Sequence, residues 1–344
     1  MRVGVIGLGF GAAVHVPGWR LVPGAEVVAI AGSSPERTHA AAARLGAKSA
    51  SIEAILDGDL DAVSIAVPPA AAEPIATRAL TRGLAVLTEK PLAADLAAAE
   101  RLAVLARGRT AAVDFQLPDL STFSAFKAFA DSGAFGTLQR AHLVWLSWSY
   151  ALANGLDSWK LSAFDGGALN LFGSHALHMA EWLFGPLRTL SARLDDSRTR
   201  RTAAAGASVA DDTAELAGDF ESGARFTALI SNAAPGGTVH RWVAVFEGGT
   251  ATLESTKSGH LDGFTFVVRD ALGQVVATQH EPEAKGDARI VPFSRVAARF
   301  AVAARAGAPA TPDFAAGLRV QSLIAAARHS HVNGGVALPV GGGA

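Results

Sequence analysis

The chain has 344 residues, half of them hydrophobic, with a formal net charge of -1 and no cysteine. That length exceeds what one core ordinarily fills, so two domains with a cleft are expected; the near-neutral charge without a like-signed run excludes the electrostatic footprint of a nucleic-acid or anionic-membrane binder, and the missing thiols exclude disulfides, thiolate metal sites and cysteine nucleophiles. The opening MRVGVIGLGFG is broken by glycines and too short for a signal or a membrane span, so a cytoplasmic protein acting on a small polar molecule is expected.

Between residues 2 and 114 short apolar runs alternate with amphipathic segments. Strands are predicted over 3–6, 27–31, 62–67, 85–89 and 111–115, with helices over 35–45, 71–82 and 93–107. This alternation implies a doubly wound parallel sheet, a Rossmann domain over residues 1–118. After QLPDL the texture changes. A helix over 123–132, an extended segment over 138–149 and a helix over 169–185 precede strand-like runs at 213–220, 224–231, 242–246 and 264–269. Two helices, 294–306 and 314–330, and a glycine-rich tail complete an α+β domain over 119–344 with a large, mostly antiparallel open sheet. The stretch RTRRTAAAGAS, residues 198–208, reads as the main mobile loop.

The first strand runs into VGVIGLGFGAA, which supplies Gly7, Gly9 and Ala12 with Phe10 and Gly11 between them. Glycine at 7 permits a tight turn, glycine at 9 admits a pyrophosphate close to the backbone, and the small Ala12 lets the following helix pack closely with its N-terminus toward the anion. The second strand would ordinarily deliver an acid to the adenosine ribose. Its end instead reads AGSSPERT, with Ser33 and Ser34 in that place and Arg37 just beyond, a set that suits a 2'-phosphate. NADP(H) is therefore expected over NAD(H).

Phosphate loop, a strand ending in Pro68-Pro69, then Glu89-Lys90-Pro91, SGAFGTL, the W-K…GGAL…GSH region from Trp159 to His175, VADDTAEL at 209–216 and AGLRVQSLIAAARHS follow in that order. This order resembles the Gfo/Idh/MocA family of glucose-fructose oxidoreductase and inositol dehydrogenase, and the resemblance runs through most of the chain. It implies an NAD(P)-dependent oxidoreductase of a sugar, cyclitol or related polyol, and a homodimer or homotetramer formed through the C-terminal sheet. It further implies that Lys90 lies near the nicotinamide and hydrogen-bonds the substrate oxygen, that His175 acts in or assists acid/base chemistry, and that Pro68, Glu89 and Gln116 line the cofactor. An ammonium beside a cationic ring in a dry cleft has its charge disfavoured, and an imidazole titrates near neutrality.

The chain also departs from the family pattern. Leu171 stands where an aspartate commonly precedes the histidine by four residues, Asn170 is one residue earlier, and His178 replaces another frequent aspartate. These changes leave the substrate class open and make a catalytically silent cofactor-binding sensor the alternative. Glu181 follows His175 and His178 at i, i+3, i+6, which drifts round a helix, and no metal is expected. His178 either reaches the cleft or packs beneath it. Tyr150, Trp159 and Lys160, together with Asn170 and His178, are the candidate substrate contacts, and His240 with Arg241 could reach the same mouth.

Overall fold

The computed structural model describes residues 1–204, 206–257 and 261–341. Two units emerge, Met1–Asp119 with Gly286–Gln321, and Leu120–Lys285 with Ser322–Ala344. The boundary after residue 119 is one residue from the expected one. Residues 286–321, which two consecutive segments would assign to the second unit, return to the first.

In the first unit β1 (Arg2–Ile6), β2 (Glu26–Ala31), β3 (Lys48–Ser49), β4 (Ala62–Ile65), β5 (Ala85–Thr88) and β6 (Ala111–Val113) form one sheet in the order 3-2-1-4-5-6, every pair parallel. β4 and β6 are buried along their whole length, as strands covered on both faces must be, which explains their continuous apolar runs. The helix Pro35–Leu45 occupies its predicted span: Ser34 caps it by accepting from the Arg37 N–H, Pro35 opens it and Gly46 closes it at φ +59°. Shorter elements escaped the apolar pattern, namely two-residue β3 and the helix Ile52–Leu56. The returning helix Ile290–Ala306 inserts Phe293 and Phe300 edge-on against the buried Trp19 at centroid distances of 6.3 and 6.0 Å. It thereby completes the core of the first unit.

The second unit is built on a nine-stranded sheet of β7 (Leu138–Leu146), β8 (Leu187–Asp195), β9 (Thr213–Phe220), β10 (Arg225–Ser231), β11 (Val239–Phe246), β12 (Gly249–Ser255), β13 (Thr265–Asp270), β14 (Val275–His280) and β15 (Leu338–Pro339). Their order is 14-13-12-11-7-10-9-8-15, antiparallel except for the β7–β10 pair. Inward residues such as Leu143, Phe226 and Trp242 alternate with half-buried ones, the signature of a sheet with one core face. Phe126 of the helix Ser121–Asp131 packs on that face against Phe184 of the helix Ser174–Phe184 and against Phe266. The expected strand over 138–149 stops at Leu146, and β8, β12 and β14 join those anticipated. β14 is an exposed edge strand with little apolar alternation to betray it. The loop expected over 198–208 begins as a short helix, Ser197–Thr202, with Thr199 buried, while residue 205 and the tail residues 342–344 lie outside the described residues. Among the described residues no helix is long and apolar enough to cross a membrane.

Candidate active site

In the first unit the phosphate loop follows β1 as anticipated. Gly7 has φ +135°, and a Cβ there would sit 2.2 Å from the carbonyl oxygen of Ala66, so only glycine fits. A Cβ on Gly9 would meet nothing within 4 Å. The protein itself therefore gives no reason for glycine at 9, whereas close approach of a ligand does. Ala12 is buried, and the chain from Gly11 to His15 winds as a wide π turn before Val16–Trp19 resumes a normal helix. The guanidinium of Arg289 lies over the Phe10 ring at 5.1 Å, and its Nε and Nη2 donate to the two carboxylate oxygens of Asp287 at 2.8 and 2.7 Å.

At the end of β2, Ser33 is exposed and Ser34 is committed to capping, its hydroxyl also donating to Glu36 at 2.9 Å. The backbone and Ser34 hydrogen bonds hold the Glu36 carboxyl below its ordinary range. Arg37 is exposed on the same turn, so a carboxylate and a guanidinium both flank the expected ribose position. Pro68 caps the helix Pro69–Thr81.

Beyond β5 and β6 stands a cluster that the sequence reading touched only at Glu89, Lys90 and Gln116. His15, fully buried, accepts or donates at both ring nitrogens, with Nδ1 2.9 Å from Ser64 Oγ and Nε2 3.0 Å from Glu89 Oε1. Its ring stacks on Phe293 at 4.1 Å and meets Phe10 edge-on at 5.5 Å. Asp114 is fully buried, and its nearest carboxyl oxygen, one of Glu89 and one ring nitrogen of His15 all lie within 4.8 Å of one another. Three potential ligand atoms at that spacing could suggest a metal. However, the direct 3.0 Å His15–Glu89 bond and the positive charge of Lys90 beside both carboxyls suit a shared proton better.

The two acids are driven apart. Burial raises the Asp114 carboxyl, and the charge and hydrogen bonding of Glu89, with the charge of Asp119, raise it further against the pull of Lys90; it lies well above the carboxylate range. Burial also pushes Glu89 up, but the hydrogen bond and charge of His15, the charge of Lys90 and the Asp114 carboxyl outweigh it and hold Glu89 low. The two carboxyls are thus pushed in opposite directions, Glu89 toward its ionised form and Asp114 toward its protonated form. Gln116 Nε2 reaches Asp114 Oδ2 at 3.4 Å. Thr88 Oγ1 and Gln116 Oε1 are buried with no hydrogen-bond partner among the described residues. Two unmatched polar atoms at the C-terminal edge of the parallel strands, beside a loop whose Gly9 leaves room for a ligand, fit a nicotinamide dinucleotide bound at that edge.

In the second unit a π turn, Leu169–Gly173, opens the helix that carries His175 and His178, so the regular 100° spacing assumed from sequence does not hold there. The two helix starts nearest this region are capped by VADDTAEL. Asp211 Oδ2 accepts from the Leu169 N–H at 2.7 Å, and Asp212 Oδ2 accepts from the N–H groups of Arg198 and Thr199 at 2.8 and 3.0 Å. Burial raises the Asp211 carboxyl despite that bond and the charge of Arg328. Asn170 is buried, donates to the Asp165 carbonyl and accepts from Arg328 at 3.2 Å; it serves the unit's interior, which corrects its expected role as a substrate contact.

His175 keeps partial exposure beside the buried Trp145, at 6.2 Å between rings. His240 stacks on Trp145 at 3.9 Å and accepts from the Trp242 indole N–H at 3.1 Å. His240 is thus a core residue and does not line an open mouth, and Arg241 is turned to Glu254. His178 retains some accessible surface, but burial pulls its imidazole down to about 4, so it is neutral at physiological pH. Tyr150 and Trp159 are 76% and 40% exposed, and Lys160 is exposed beside Trp159, so these three remain available to a ligand of this unit.

Sequence alone missed His15, Ser64 and Asp114. A histidine eight residues after Gly7 and an aspartate ending an apolar strand were the available signals, and neither names its partner. Residues 1–115 match the family described as oxidoreductase family, NAD-binding Rossmann fold, and residues 123–252 match the GFO/IDH/MocA C-terminal domain. Inositol 2-dehydrogenase 4 of Saccharopolyspora erythraea is 30% identical over 318 residues, covering 89% of this chain and 86% of its own. An uncharacterized oxidoreductase of Synechocystis sp. is 27% identical over 96% of this chain and 94% of its own. In fold, the chain is similar to levoglucosan dehydrogenase in complex with NADH, with a TM-score of 0.86 at 22% identity over 99% of both chains.

Folding makes Asp114 take up a proton, because its carboxyl is raised in the folded state. The stability it confers is complete below the unfolded carboxylate pKa and is lost as pH rises toward the folded one. Asp114→Asn, which has no proton to lose, should therefore melt higher than the wild type near pH 8, and the advantage should vanish near pH 4. Thermal melting of both proteins across that range checks it; an advantage independent of pH would contradict the protonated assignment.

Proposed function

This chain belongs to the GFO/IDH/MocA family of NAD-binding oxidoreductases, and on that footing we propose that it moves a hydride between NADP(H) and a carbinol or carbonyl carbon of a sugar, cyclitol or related polyol. The observation that carries this reading is the convergence, at the C-terminal edge of one parallel sheet, of a glycine loop open at Gly9 with Glu89-Lys90 and two unmatched buried polar atoms. The dinucleotide, when bound, supplies or accepts the hydride. Gly7, Gly9, Phe10, Gly11 and Ala12 hold its pyrophosphate side, Lys90 addresses the substrate oxygen, and His175 is the acid/base group of the second unit. Tyr150, Trp159 and Lys160 are the substrate-facing side chains in this reading, with His178 a neutral neighbour.

The preference for NADP(H) is supported by the absence of an acid at Gly32-Ser33-Ser34 and by Arg37 on the first turn of the following helix. Glu36 on the same turn is what an NAD-specific site would use. A cytoplasmic setting belongs to the same proposal. A second copy of the chain is the proposed partner, docked on the outward face of the large sheet, where the 37% exposed Leu229 stands beside Val144.

Three outcomes follow. A screen of sugars, sugar acids, cyclitols and their keto forms should reveal turnover through the near-ultraviolet absorbance of reduced nicotinamide, and Lys90→Ala should lower kcat on the order of 10²-fold. Tight cofactor binding with no turnover across the panel would favour the silent sensor. Arg37→Ala should narrow the NADP(H)-over-NAD(H) affinity ratio about tenfold, as loss of one charge-assisted contact to phosphate does; an unaltered ratio would remove Arg37 from the site. Light scattering should give a multiple of 35.2 kDa for the wild type and a lower mass for Leu229→Asp, whereas an unchanged mass would place the contact elsewhere.

A further inference from the structure

The glycine loop carries no charge of its own. Residues 7–14 read GLGFGAAV, so every donor that this stretch can offer an anion is a neutral backbone N–H. A cation reaches it from the far end of the first unit. Arg289, on the segment 286–321 that returns to that unit, lays its guanidinium over the ring of Phe10 at 5.1 Å, and Phe10 stands between Gly9 and Gly11. On the loop side, a Cβ at Gly9 would meet nothing within 4 Å, so there is room beside the aromatic platform.

The guanidinium is held from two sides. The Phe10 ring beneath it meets His15 edge-on at 5.5 Å, and Phe293, one helical turn beyond Arg289, stacks on the same imidazole at 4.1 Å. Asp287 takes one edge of the fork, with Nε 2.8 Å from Oδ1 and Nη2 2.7 Å from Oδ2, while Oδ1 also accepts from the Arg289 backbone N–H at 3.0 Å. A guanidinium has five N–H groups, and a carboxylate on that edge engages one hydrogen each of Nε and Nη2. Nη1 has no hydrogen-bond partner among the described residues, although the side chain is only 34% exposed. Nη1 and the second hydrogen of Nη2 form the end of the fork, an edge that can hold a second anion bidentately.

We propose that Arg289 is a cofactor-binding residue, which presents the end of its guanidinium to the pyrophosphate seated on residues 7–12 and supplies the positive charge that the loop lacks. This deepens the dehydrogenase reading and rests on its assignment of a dinucleotide to that loop. Arg289 then serves the part of the ligand that NADH and NADPH share, whereas Arg37 is proposed for the 2'-phosphate that only one of them carries. Were Arg289 merely a brace for the start of its helix, its removal would lower the melting temperature and leave ligand affinity alone.

Equilibrium binding to the full chain tests this without turnover. NADH and NADPH are followed by nicotinamide fluorescence, and ADP-ribose, which keeps the pyrophosphate and lacks the nicotinamide, by calorimetry. Arg289→Ala should weaken all three by a common factor on the order of tenfold or more, the scale of a lost charge-assisted contact, and leave the NADPH-to-NADH affinity ratio in place. Arg289→Lys, which keeps the charge without the fork, should recover only part of that loss. Saturating ADP-ribose should raise the melting temperature of the wild type more than that of either variant. Unchanged ADP-ribose affinity in folded Arg289→Ala overturns the proposal, as does a loss confined to the two nicotinamide ligands or to NADPH. If Arg289→Ala does not fold, Arg289→Lys decides alone, and full affinity for ADP-ribose in it overturns the proposal. A wild type that binds none of the three ligands brings down the dinucleotide reading itself, whereas a wild type and a variant that bind equally bring down only the role of Arg289.

Discussion

One buried imidazole ties the nucleotide-binding unit together. His15 sits at the end of the π turn that follows the phosphate loop and holds Ser64 of β4 with one nitrogen and Glu89 beyond β5 with the other. It also stacks on Phe293 of a helix that arrives some 270 residues later. Loss of the imidazole would leave a buried serine hydroxyl and a carboxylate without that partner, a penalty of about 1–3 kcal/mol for the neutral group and more for the ion. Gly18 has the same neighbour: a Cβ there would lie 2.3 Å from the Phe293 ring. The geometry of the loop, the charge of Glu89 and the seating of the returning helix are consequently one constraint.

This constraint shapes the chemistry available at the sheet edge. The Rossmann order places the ends of β1, β4, β5 and β6 side by side, so residues far apart in sequence become neighbours. Because the pair is buried, its two carboxyls are driven in opposite directions. Glu89, hydrogen-bonded to His15 and facing the charge of Lys90, is held low, and Asp114, buried beside Glu89, is raised. Neighbouring elements supply both outcomes, and the side chains themselves differ by one methylene.

The second unit shows a similar division between position and chemistry. Trp145, inward on β7, neighbours both His175 and His240: the first retains access to solvent, and the second is held by stacking and by the Trp242 indole. The Asp211-Asp212 pair fixes where two helices start and so sets the depth of Leu169 and, four to nine residues on, of the histidine-bearing turn. Asn170 is drawn inward by Arg328 of the last helix, and the π turn moves it off the face that regular helix geometry would give.

Much of this was legible in the sequence. Apolar runs of strand length alternating with 3.6-residue periodicity dictated the doubly wound sheet, and the glycine pattern after β1 dictated a phosphate loop, because both are local consequences of backbone sterics and burial. The ordered motifs placed Lys90 and His175 at candidate positions. The short strand β3 and the exposed edge strand β14 left no such trace, since neither buries a regular apolar set. What only the tertiary structure decided is partnership. That His15 meets Glu89, that the Asp114 carboxyl is raised while that of Glu89 is lowered, that Asn170 and His240 face inward, and that residues 286–321 rejoin the first unit all depend on contacts between distant segments. A local pattern records how often a position is buried; the identity of the group buried against it is set by the fold, and charge and proton placement follow from that group.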